Sequence, residues 1–171
     1  MKPNYLTILI TTLCIFFNAC HNSNTAPQLQ LARSLIDKRA DSALCILEKL
    51  SIEEISNKSA KAMYALLLTE ALDKNFKSHR NDSLILIAVD YYKDNSNNKL
   101  KTKAYYYLGR VYQDNKEYIK ATEAYLTALK TASPNQAPIL QIYNNLALCY
   151  ESQEFYLPAI KTYKESYATA E

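Results

Sequence analysis

The sequence predicts an all-α protein, a stack of about four antiparallel helix pairs. Three observations point there. One glycine, five prolines, no tryptophan and 15 tyrosines in 171 residues suit a helical array, not a β-sandwich with its many tight turns. Tyr105, Leu108, Gly109 and Tyr112 stand at i, i+3, i+4 and i+7, one face of a helix, and Ala121, Tyr125 and Ala128 mark one face of a second. The same pattern then returns 38 residues on, as Tyr143, Leu146, Ala147 and Tyr150, followed by Ala159, Tyr163 and Ser166.

The N-terminus is a separate segment. Lys2 supplies a positive start, and Leu6 to Phe17 is an apolar run. At about a dozen residues it is too short to span a bilayer and reads as an export signal. Ala19 before Cys20, with the polar run His21 to Thr25 behind it, resembles a bacterial lipoprotein cleavage box. That resemblance implies a signal peptide over 1–19 and a Cys20 diacylated on sulfur, with palmitate-type chains holding the protein to a membrane. His21 in the second position implies sorting to an outer membrane, with the repeats facing the periplasm. Inner-membrane anchoring and plain secretion are the alternatives.

Residues 20–27 read as a tether, and Thr25 with Gln28 as a capping box, so a helix is expected over 28–38. Asp41 or Ser42 caps the next, which carries Ala43, Leu44, Ile46, Leu47 and Leu50. A polar link, 51–57, leads to an amphipathic helix from Lys58 to about Asp73, and Asn75 to Asn81 form a loop. Leu84 to Val89 is continuously apolar and could be a buried strand. No partner strand exists in the sequence and Asp82 is a good cap, so it reads as helix. Residues 28–101 thus form diverged helical repeats.

Over 102–135 and 140–171 the repeats are clear. Gln113 to Glu117 is a short polar turn, so the helices it joins are antiparallel neighbours. Gly109 and Ala121 let two backbones approach; Ala147 and Ala159 do so in the second copy. A mid-helix glycine costs roughly 1 kcal/mol, so Gly109 is expected to serve packing. Pro158 suits a first helical turn. These residues resemble the tetratricopeptide repeat, which implies a right-handed α-solenoid that binds proteins or peptides. Pro134 closes the first copy and the second is incomplete. The last helix runs through Tyr163, Tyr167, Ala168 and Glu171 with no polar cap. Either the chain is a truncated member, such as the input domain of a signalling regulator, or another chain covers that end by self-association.

No catalytic chemistry is legible. One glycine rules out a phosphate loop, and His21 and His79, the two histidines, have no metal-ligand spacing. No enzyme, cofactor or metal is expected. Acids are expected on solvated surfaces, Cys45 and Cys149 as buried free thiols. A net charge of +3 gives no argument for nucleic acid. By resemblance, the first helices line a groove that presents Lys103, Tyr106 and Arg110, then Gln141, Asn144 and Asn145. Arg110 stands where the carboxylate-binding version has asparagine. Tyr105, Tyr112, Tyr125, Tyr143, Tyr150 and Tyr163 are expected in the core, and Tyr106, Tyr107 and Tyr156 exposed. The expected function is a lipid-anchored scaffold or adaptor for a protein or peptide.

Overall fold

The computed structural model describes residues 25–79, 81–133 and 138–170. The signal segment, Cys20 and Pro134 lie outside them. Eight helices are described: α1 (Thr25–Leu35), α2 (Ala40–Leu47), α3 (Lys58–Lys74), α4 (Ser83–Tyr92), α5 (Asn98–Asp114), α6 (Tyr118–Thr131), α7 (Ile139–Ser152) and α8 (Tyr156–Ala170). Each packs on the next, and the first helices of successive pairs also touch: α1 with α3, α3 with α5, α5 with α7. That connectivity is a tetratricopeptide-like solenoid of four helix pairs.

The turns within pairs repeat as well. Phe76, Lys116 and Glu154 have φ of 55°, 61° and 62°, the left-handed region. Just beyond each, an amide reaches back to the last helical turn: Lys77 to Leu72, Glu117 to Tyr112 and Phe155 to Tyr150, at 2.8–3.0 Å. These bonds satisfy helix-end carbonyls, a Schellman arrangement normally closed by glycine. Here three side-chain-bearing residues take the strained position.

Several boundaries differ from expectation. The first helix begins at Thr25 rather than Gln28, so residues 25–27, expected in the tether, are helical, while 20–24 lie outside the described residues. α2 begins at Ala40, before Asp41 and Ser42, and its preceding residue Arg39 makes no side-chain cap. Asp82 does not cap α4. Asn81 Oδ1 takes the Ser83 N–H at 3.1 Å, while Asp82 accepts the Tyr112 hydroxyl at 3.1 Å. Asn57 and Asn97 cap α3 and α5 through their side-chain oxygens.

Among the described residues two apolar clusters form the core, and α3 belongs to both. Tyr64, Leu67 and Ala71 pack toward α1 and α2. Ala62, Ala65 and Leu66 pack toward α4 and α5. In the third pair a Cβ at Gly109 would overlap the Tyr125 ring. Tyr125 is fully buried, and its hydroxyl donates to Gln113 Oε1 at 2.7 Å. Gly109 therefore serves close packing. Cys149 is buried as expected, and burial pushes its thiol up to about 11; Cys45 instead is exposed, on the outer side of α2.

Candidate functional site

Successive first helices are tied by polar bridges along one face of the stack. Asp37, just after α1, accepts from Lys74 Nζ of α3 at 2.7 Å. That hydrogen bond holds the Asp37 carboxyl below its ordinary range. Glu70 of α3 lies 2.6 Å from Lys103 Nζ of α5 and 3.7 Å from Lys74 Nζ. Asp73 of α3 accepts from Arg110 Nε of α5 at 2.8 Å. Asn145 of α7 donates to the Tyr106 hydroxyl of α5 at 3.4 Å.

Glu70 is fully buried, against the expectation that the acids are solvated. Its contacts are ionic: neither carboxylate oxygen has an aligned hydrogen bond. A buried carboxylate needs a counter-charge, because the interior solvates it poorly. Lys103, half-buried at the rim, supplies it from 33 positions along the chain. Tyr107, packed over Glu70, has its hydroxyl pKa raised, first by burial and then by that charge.

The proposed groove residues are thus placed in different settings. Arg110 is half-buried. Burial alone would lower its pKa, but Asp73 overrides this and the net shift is upward. Its guanidinium also reaches Gln113 Oε1 at 3.4 Å and Asp114 Oδ1 at 3.7 Å. Tyr106, expected to be exposed, is 8% exposed, and Tyr107 is 4%. Their rings meet edge-on at 4.9 Å, and Tyr106 also lies 6.1 Å from Tyr125. Burial, then the Asp73 charge, pushes the Tyr106 hydroxyl up to about 12. Gln141 is exposed. Asn144, also exposed, turns toward α8 and accepts from Ser166 Oγ at 2.7 Å. Lys103, Tyr106, Arg110 and Asn145 therefore share the polar ladder, and Asn144 is drawn away from it.

Three features were missed in the sequence. Glu70 and Asp73, the partners of Lys103 and Arg110, carry no local signal. Leu148 does: it stands 38 residues after Arg110 and is 44% exposed beside Gln141 and Asn145. The same shift maps the Tyr125–Gln113 bond onto Tyr163–Glu151, where the hydroxyl donates at 3.3 Å. Tyr163, expected in the core, is nevertheless 38% exposed. Buried His79 completes the ladder's edge. Its Nδ1 is 2.7 Å from Asp114 Oδ2 and its Nε2 is 3.2 Å from the Thr69 carbonyl. Both ring nitrogens thus face acceptors.

Comparison with known proteins agrees with this architecture. A family model, Tetratricopeptide repeat, matches residues 101–171. Among solved structures, one described as MamA protein is 22% identical, with a TM-score of 0.62, covering 85% of this chain and 73% of that one. A second MamA structure is 21% identical, with a TM-score of 0.64 over 88% and 80% of the two chains. At that identity the likeness concerns the fold. No curated protein matches the chain. Residues 101–171 thus carry the tetratricopeptide-repeat pattern, and the whole described chain shares the solenoid fold of these structures.

Proposed function

We propose that this protein is a lipid-anchored scaffold or adaptor that holds a protein or peptide in the bacterial cell envelope. The observation that carries the binding part is the ladder itself. Its cations are already neutralised by Asp73, Glu70 and Asp114, so the face is pre-organised and nearly neutral. Such a face suits a peptide held by amide hydrogen bonds and apolar contact rather than an anionic group. Gln141, Asn145 and exposed Leu148 offer those contacts. The anchoring part rests on Ala19-Cys20, and confinement to a membrane would raise the effective concentration of partners there.

Arg110 and Tyr106 hold the stack together, so substituting them would confound binding with folding. Gln141→Ala with Leu148→Glu touches exposed positions only. In affinity capture from membranes, the double variant should keep its melting temperature and lose the partner. A partner retained at wild-type level would place binding elsewhere. For the anchor, fatty-acid labelling should vanish in Cys20→Ala; persistent labelling would sink that assignment.

A further inference from the structure

His79 lies in the turn between α3 and α4, and its side chain is buried. Its neighbours Lys77, Ser78 and Asn81 are exposed. His79 instead turns inward and reaches two other parts of the stack at once. Its Nδ1 lies 2.7 Å from Asp114 Oδ2 at the end of α5, and its Nε2 lies 3.2 Å from the Thr69 carbonyl of α3.

A carboxylate and a carbonyl only accept. A neutral imidazole has one N–H, so it serves one of these oxygens and turns a lone pair on the other. The imidazolium has two and serves both. The charges around the ring act in the same direction. On α5, Asp114 is in contact, and Arg110 stands behind it with Nη2 3.7 Å from Asp114 Oδ1. On α3, Asp73 is paired with Arg110 and Glu70 with Lys103. Ahead of α4, Asp82 accepts from the Tyr112 hydroxyl. Within the turn, Lys77 is paired with Glu48, and Arg80 lies outside the described residues. Among the described residues, the charge paired with the ring is therefore negative.

We infer that His79 is a proton-operated latch on the α3–α4 turn. Protonated, it ties the turn both to α3 and to the end of α5, and it braces Asp114 beside Arg110 of the ladder. Deprotonated, it keeps the stronger, charge-assisted bond to Asp114 and loses the tie to the Thr69 carbonyl. A cavity of about 300 Å³ beside the ring, lined by Leu72, Ser78, Asn81, Leu84 and Val111, gives the released turn room to shift. The latch is closed at acidic pH and opens as the pH rises. This inference does not depend on what the groove binds.

Nitrogen-15 NMR of the imidazole tests it, on the full chain in detergent between about pH 5 and 8, where histidine changes charge. His21→Ala removes the other histidine, so one ring is observed. The acidic end should show protons on both ring nitrogens. Loss of the Nε2 proton as the pH rises should shift the backbone amides of Lys77 and Ser78 in step. Asp114→Asn, which removes the charge and keeps the shape, should let that proton go at lower pH. His79→Gln should abolish the step in the two amides. A neutral ring at the acidic end, a proton loss that leaves both amides unmoved, or the same midpoint in Asp114→Asn would each overturn the latch. Unchanged helical circular dichroism in the variants separates a lost latch from a lost fold, and the wild-type titration decides the matter even where a variant fails to fold.

Discussion

Gly109 shows how one side chain sets a repeat's geometry. Alanine is the better helix former by about 1 kcal/mol. Yet its methyl group would meet a Tyr125 ring that is buried on all sides and tethered by Gln113. Overpacking wins, and Gly109→Ala should cost about 1–3 kcal/mol by denaturant unfolding. A stabilised variant would show that the ring can yield. The two thiols offer a second residue-scale check. Exposed Cys45 should react with a thiol reagent in the native protein, whereas Cys149, buried and with its pKa raised to about 11, should react only on unfolding. Equal native rates would contradict that burial.

At the scale of elements, the long amphipathic helices were legible because their periodicity reflects burial on one face. Helix starts were less so: Asp82 has the right side chain for a cap but is drawn to Tyr112, and Asn81 takes over. Nothing local announces that exchange. The same holds for the first helices, whose registration depends on Glu70. Removing its counter-ion should hurt more than removing Glu70 itself. Lys103→Met strands a buried carboxylate and should cost about 3 kcal/mol. Glu70→Gln frees Lys103, which can turn to water, and should cost about 1 kcal/mol. Equal losses in melting experiments would mean that Lys74 alone suffices. The left-handed turn at Lys116 gives the opposite sign. Lys116→Gly should raise stability by up to about 1 kcal/mol, since glycine takes that conformation without a Cβ clash.

For the whole molecule, the 38-residue repeat conveys more than fold. It identifies Leu148 as the counterpart of Arg110. The stack was readable from Tyr105, Leu108, Gly109 and Tyr112 and their second copy, because these residues make the packing. The groove was only half readable. Tyr106 and Arg110 occupy surface-type positions in the pattern, but α3, the first helix of the preceding pair, brings Asp73 and Glu70 against them and encloses them. Such pairing crosses more than 30 residues and leaves no periodic trace.

The central claim is that the face formed by successive first helices, and not the opposite face, holds a protein partner. Photocrosslinking in membranes tests it most directly. A photoreactive residue at exposed Gln141 should give one discrete crosslinked protein product, and the same residue at exposed Glu123 on α6 should give none. Equal products from both positions, or a product from Glu123 alone, would contradict the account.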